Sequence, residues 1–259
     1  MTITALGRPR EPGAGQVARA TTSVQVGLDP RGRVSVRTQT SGGAGRPRVR
    51  PMLLSSTATT ARVCLVPEGA LLLAGDAVEI RVEVGAGATL ELVEPSGTVA
   101  YDMRGQEAHW YVDIVVGPSA RLLWSGEPFV VAAGASVTRR TRVQLGVEAR
   151  VALRETLVLG RHGEAGGRLR QRLDIVDSTG SPVVIEDLLL DECTAFAVLG
   201  HRRVIASVLA LGLDLPGPVL PEHRYELEEG GTLWRRLGDQ VHCTIPGEAW
   251  AAASAAVRG

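Results

Sequence analysis

The chain has 259 residues, 44% of them hydrophobic and 22% charged, which places it among folded globular proteins and outside the disordered class. Acidic and basic residues balance at 28 each, so no net field draws it to nucleic acid or to an anionic membrane. Every basic residue in that count is Arg, and the lack of Lys excludes phosphate-loop and Schiff-base chemistry, which need an amine.

Residues 1–20 hold Arg, Pro and Gly without an apolar h-region, and they read as a flexible N-terminus rather than a secretory signal. Residues 21–259 read as a single β-rich domain. From Val24 onward, short alternations of β-branched or Leu residues with polar ones are separated by Gly, Pro and Asp turns, the pattern of successive strands. The stretch from Gly42 to Pro51, rich in Gly, Arg and Pro, reads as an exposed loop. Val78, Ile80, Val82 and Val84 share one face of a strand, with Glu79, Arg81 and Glu83 on the other.

The end of that strand belongs to a phrase that occurs three times, as Val82 to Leu90, Ile114 to Leu122 and Val143 to Val151. A strand, a turn at Gly85, Gly117 or Gly146, a small residue and a second strand recur at about thirty-residue intervals. Such a repeat predicts a mainly β fold of stacked strand layers, sandwich-like or β-helix-like, with a shared core. An ordinary meander satisfies the same spacing. The run from His201 to Leu213 fits strand or helix, and strand is favoured. Glu228 to Gly231 reads as a hairpin tip, and residues 246–257 as a short C-terminal helix opened by Pro. The longest apolar run, Val204 to Leu215, is too short to cross a bilayer.

Cys64, Cys193 and Cys243 are odd in number and widely spaced, which suggests neither a disulfide framework nor a zinc module and fits a cytoplasmic protein. His162 and Glu164 sit one residue apart, where they form either a weak metal pair or a polar Gly-rich turn. His242 and Cys243 are adjacent on an expected strand and so point to opposite faces. Asp191, Glu192 and Cys193 close a strand as a solvated turn or a soft-metal site. His109, His201 and His223 have no sequence partners. Glu68, Asp76, Glu94, Asp102, Glu127, Glu155 and Glu186 are scattered among the strands, and two of them could serve a carbohydrate-binding module or hydrolase. An aromatic content of 3% argues against a sugar platform.

From about Val63 to Asp191, roughly half of the chain, the phrases resemble the urease accessory protein UreD family, also called UreH, in order and spacing. They are Gly69 to Asp76, Glu94 to Tyr101, Leu123 to Pro128, Arg154 to Glu164, Leu169 to Asp174 and Pro182 to Leu188. The family's Lys before the Tyr is replaced around Val99. Its Pro and Gln near the Trp are Gly126 and Glu127, and its aromatic and acidic entry is absent from Met52 to Val63, as in a divergent member. The resemblance implies a non-enzymatic protein that binds apo-urease and, with UreF and UreG in a hetero-oligomer, assists GTP-dependent insertion of nickel. UreG hydrolyses the GTP, this chain binds no nucleotide, and nickel passes transiently. Matching the family's motifs, Asp76, Glu155 and Glu186, with Thr98, are the candidates for the nickel route. Gly75, Tyr101, Trp124, Gly160, Arg161 and Glu164 match as structural positions. The same carboxylates have plain structural uses: an Asp after a Gly turn accepts backbone N–H groups, and Glu155 or Glu186 can pair with Arg. An apolar surface groove is expected for UreF.

Overall fold

The structure, a computed structural model, describes residues 19–42, 47–213, 215, 217 and 219–259. The stretch read as a flexible N-terminus falls outside the described residues up to residue 18, and Ala20 already opens the first strand. In chain order the strands are β1 (Ala20–Leu28), β2 (Val34–Ser41), β3 (Arg48–Ser56), β4 (Thr60–Glu68), β5 (Ala77–Val84), β6 (Thr89–Val93), β7 (Thr98–Ala100), β8 (Ala108–Val116), β9 (Arg121–Ser125), β10 (Phe129–Val131), β11 (Ser136–Leu145), β12 (Arg150–Leu159), β13 (Arg168–Val176) and β14 (Pro182–Leu190). A short helix α1 (Ala195–Leu199) precedes β15 (Val204–Leu211), and β16 (Arg224–Glu226) and β17 (Thr232–Gly238) form a hairpin around the expected tip. The chain ends in α2 (Val241–Thr244) and α3 (Gly247–Arg258).

Two sheets face each other. One has the order β14-β13-β11-β8-β5-β1-β2 and the other β16-β17-β15-β12-β9-β6-β4-β3, with β10 pairing β12 and β7 pairing β10 off that path. The centre of each sheet is parallel, with β5, β8 and β11 adjacent in one and β6, β9 and β12 adjacent in the other. The three copies of the repeated phrase therefore stack as coils of a solenoid. Val82, Ile114 and Val143 are register partners, as are Leu90, Leu122 and Val151. Pairing that runs parallel through three coils decides against the meander, whose consecutive strands pair antiparallel.

The turns show why the phrase begins with glycine. The N–H groups of Gly85, Gly117 and Gly146 donate to the Val26, Val84 and Val116 carbonyls of the preceding coil, each at 2.7 Å. A Cβ on Gly146 would lie 2.6 Å from the Gly117 carbonyl carbon and from the Pro118 nitrogen, so backbone stacks on backbone without room for a side chain. The left-handed residue falls two positions later, at Gly87, Ser119 and Glu148, and there the sequence varies. Ser119 Oγ donates to Glu148 Oε2 at 3.0 Å between neighbouring coils.

The core lies between the sheets and is built from inward residues of alternating parity, such as Ile80, Val82 and Val84 against Leu90, Leu92 and Leu122. A second, smaller core forms on the outer face of the other sheet, where α3 lays Ala249, Ala253 and Val257 over Leu123, Ala152, Val208 and Trp234. β15 is thus covered on both faces, which is why its sequence is continuously apolar rather than alternating.

Two expectations need correction. The stretch read as a loop from Gly42 to Pro51 is strand from Arg48 onward, and residues 43–46 lie outside the described residues. β3 is a sheet edge, where proline costs no ladder hydrogen bond on the open side. His242 and Cys243 are in the single helical turn α2, not on a strand, because four residues between Gln240 and Ile245 close an i to i+4 hydrogen bond before α3. Among the described residues no helix is long and apolar enough to cross a membrane.

Candidate functional site

Inward positions on the central strands are mostly apolar, and polar side chains interrupt them in two adjoining layers. Glu155 stands between Leu153 and Leu157, Gln171 between Leu169 and Leu173, Glu186 between Val184 and Leu188, Ser207 between Ile205 and Leu209, and Arg235 between Leu233 and Leu237. Arg139 follows Val137 with the same parity on β11. Register brings five of these residues side by side, Arg139 facing Gln171 in one sheet and Glu155, Ser207 and Arg235 adjacent in the other, while Glu186 is one step away, opposite Leu173.

The polar side chains are internally paired. Arg139 Nη1 donates to Glu155 Oε1 at 2.8 Å and to Gln171 Oε1 at 2.7 Å, and Gln171 Nε2 donates to Glu155 Oε2 at 2.6 Å. The Arg139 guanidinium lies 4.4 Å over the Phe129 ring, a cation–π contact in a poorly hydrated place. Arg235 donates through Nη1 and Nη2 to the two Glu186 oxygens, the latter at 2.9 Å, and through Nε to Ser207 Oγ at 3.0 Å. Burial works against the charge of Arg235, but the Glu186 carboxylate outweighs it and holds the guanidinium above its ordinary pKa. A third pair joins Arg154 Nη2 to Glu127 Oε1 at 3.0 Å.

These groups line a cavity of about 300 Å³ between the sheets. Interiors close-packed at normal density contain few voids larger than a water molecule, so this one is exceptional. Its walls draw on β8, β11, β13 and β14 of one sheet and on β6, β9, β12, β15 and β17 side chains or flanking turns of the other. At strand spacings near 4.8 Å it therefore reaches roughly 15–20 Å along the solenoid axis. Trp110, Phe129, Leu153 and Leu209 supply apolar wall. Glu94, just past β6, accepts hydrogen bonds from Trp124 Nε1 at 2.9 Å and from the Glu127 backbone N–H at 3.0 Å. Burial pushes the Glu94 carboxyl above its ordinary pKa, against the pull of those two donors and of Arg139.

The structure brings Glu155, Glu186 and Thr98 together in this lining and leaves Asp76 outside it. Asp76 Oδ2 accepts the Leu73 N–H at 2.7 Å, closing the turn that contains left-handed Gly75. Among the motif positions, Trp124 lines the cavity, whereas Tyr101 donates its N–H to the Leu72 carbonyl on the surface. Gly160, at φ +75°, ends β12, where a Cβ would collide with the Glu164 and Ala165 carbonyls. Glu164 Oε1 takes the N–H and Nε of Arg161 at 2.7 and 2.8 Å, and hydrogen bonding to Arg161 lowers the Glu164 pKa to about 2. The polar-turn alternative thus describes Glu164, whose oxygens are engaged by Arg161 rather than paired with His162.

Asp191 Oδ1 accepts the N–H groups of Cys193 and Thr194 and forms a turn. The three cysteines are free, with Cys64 buried. His109 stacks on Tyr111, His201 meets the edge of Phe196, and His223 lies 3.8 Å from Glu222. Among the described residues no three His, Cys, Asp or Glu side chains cluster in a way that could hold a metal ion. Sequence reasoning did not single out Arg139, Arg154, Gln171, Ser207 or Arg235. The signal that finds most of them is a polar residue flanked by apolar ones at i−2 and i+2 on several consecutive strands.

A family model described as the UreD urease accessory protein matches residues 20–256. The chain is 44% identical over 223 residues to urease accessory protein UreD 1 of Streptomyces griseus subsp. griseus, covering 85% of each chain. It is 34% identical over 196 residues to urease accessory protein UreD of Frankia casuarinae, covering 69% of this chain and 61% of the relative. UreD 3 of the same Streptomyces is 36% identical over 197 residues, covering 70% and 74%.

Proposed function

The chain belongs to the UreD urease accessory protein family, and from that premise we propose that it is a non-catalytic, cytoplasmic scaffold that assists nickel insertion into apo-urease with UreF and UreG. UreG supplies GTP hydrolysis on this reading, in keeping with a chain that has no lysine for a phosphate loop.

The observation that carries the nickel part is the elongated cavity bordered by Glu155, Glu186 and Thr98. A borderline dication in transit needs oxygen ligands, none of which holds it too tightly. A carboxylate shared with an arginine meets that requirement, because the guanidinium competes with the ion for the same oxygens. Asp76 belongs to the proposal through its family motif and is tested separately. Exposed Met52, Leu53 and Leu54 on edge strand β3, and Phe196 and Val198 on α1, support docking of UreF and urease on apolar surface.

The test is co-expression with urease, UreF and UreG. Glu155→Gln and Glu186→Gln should each lower the nickel content of purified urease several-fold while the chain still co-purifies with UreF. Full nickel loading with both variants and with Asp76→Asn overturns the conduit. Failure of the folded wild-type chain to retain UreF or urease overturns the scaffold.

A further inference from the structure

The outer face of the first sheet, turned away from the cavity, carries its charges in register. Because β5, β8, β11 and β13 run parallel, their outward residues fall into rows that cross the sheet from strand to strand. One row reads Arg81, Asp113, Arg142 and Asp174, alternating in sign at every step. In the row beside it Glu79 and Arg172 hold the β5 and β13 positions. Glu79 and Arg81 pair at 2.6 Å on β5, and Asp174 and Arg172 pair at 2.8 Å on β13, so the two flanking strands carry the same ion pair in opposite order. The Arg81 and Arg172 side chains remain 49% and 45% exposed, which leaves their charge open to a further partner.

We propose that this face pairs with the same face of a second copy of the chain, about a twofold axis that runs parallel to the strands between β8 and β11. Such an axis keeps each row in place and exchanges β5 with β13 and β8 with β11. Arg81 then meets Asp174 of the other copy, Asp113 meets Arg142, and Glu79 meets Arg172, so each of these contacts joins opposite signs. A twofold axis along the same row, across the strands, lays Asp113 on Asp113 and Arg142 on Arg142, where like charges repel. The chain is neutral, with 28 acidic and 28 basic residues, so two copies approach without net repulsion. Strands β1, β5, β8, β11, β13 and β14, each 8 to 10 residues long, make up the face. At a spacing of about 4.8 Å they offer roughly 600 Å² on each copy and about 1,200 Å² in the pair, the size at which stable specific interfaces begin. Sheet twist carries the corners of two such faces apart, so the contacts beside the axis, Asp113 with Arg142, bear most of the attraction. The pairing is independent of the nickel reading, since it uses the side of the sheet that the cavity does not.

The experiment is sedimentation velocity of the purified full-length chain over a range of concentrations and salt. The wild-type chain should be mainly dimeric at about 50 μM in about 0.05 M salt and monomeric in about 1 M salt, where the screening length falls to about 3 Å. Asp113→Arg and Arg142→Asp each set like charges against one another twice across the axis, and each should weaken the dimer by about tenfold or more. Mixed in equal amounts, these two variants should pair with each other, because one copy is then positive and the other negative at both positions. The double variant Asp113→Arg/Arg142→Asp should again pair with itself. A wild-type chain that stays monomeric at about 100 μM in low salt overturns the proposal. A dimer that neither single variant weakens uses another surface and overturns it as well, as does a mixture of the two that fails to pair. A thermal melt of each variant confirms that folded chains are compared.

Discussion

Glu186 and Arg235 are 49 residues apart in sequence and meet across the two sheets, one from edge strand β14 and the other from β17. Their two-pronged contact, with Ser207 holding the third nitrogen of the guanidinium, ties the sheets together at the end of the cavity where Ile185 is 60% exposed. Glu186→Ala should leave Arg235 charged and unpaired and cost about 1–3 kcal/mol. That is less than for a fully buried pair, because solvent reaches about a quarter of each side chain. Urea unfolding measures the loss. The double variant Glu186→Leu/Arg235→Leu should recover most of it, since it removes both charges together.

The turn after β12 carries its own pH signature. Glu164 titrates at about 2, held down by Arg161, so the folded pKa is depressed below the ordinary carboxylate value. The contribution of this pair is therefore present above the unfolded pKa and is lost as pH falls through about 2. A carbon-13 NMR titration of the Glu164 carboxyl should show that midpoint, and Arg161→Gln should raise it towards about 4.3.

Gly146→Ala and Gly247→Ala should differ sharply. The first drives a methyl group into the Gly117–Pro118 backbone of the neighbouring coil, and relief requires the coils to part. A loss of about 1–3 kcal/mol follows, the range for overpacked sites. Gly247, at the start of α3, has nothing within 4 Å of a built Cβ, and alanine there should be neutral or stabilising by up to about 1 kcal/mol. Thermal unfolding of the two variants checks both signs.

Thiol labelling should separate the cysteines. Cys193 and Cys243 are exposed, whereas Cys64 is buried and burial pushes its thiol up. In the native protein two thiols should react rapidly with an aromatic disulfide reagent, and the third only after unfolding. Rapid labelling of Cys64 in native protein would show that the face of β4 opposite the core residues Val63 and Leu65 opens on the labelling timescale.

Local pattern was enough for much of the architecture. Alternation in Val78 to Val84, and the thrice-used glycine turn, specify strands joined by tight turns because a two-residue side-chain period and a turn are properties of neighbouring residues. The same locality misled at Arg48 to Pro51, where turn-forming composition is overruled by pairing with β4 fourteen to twenty residues away in the chain. It misled again at His242 and Cys243, whose helical turn is held under β15 and β17.

By itself the sequence determined the β class, the recurring strand–turn–strand phrase, the C-terminal helix and the kinship to the UreD family, while the parallel stacking of that phrase was left to the folded chain. The tertiary structure alone decided which carboxylates share a space. Glu155, Glu186 and Glu94 converge only because parallel coils bring strands from distant parts of the chain into register, while Asp76, equally prominent as a motif residue, is carried to a turn outside the lining. Pairing partners such as Arg139 and Arg235 were invisible for the same physical reason: charge compensation depends on distance in space, and that distance is set by sheet packing, not by spacing along the chain.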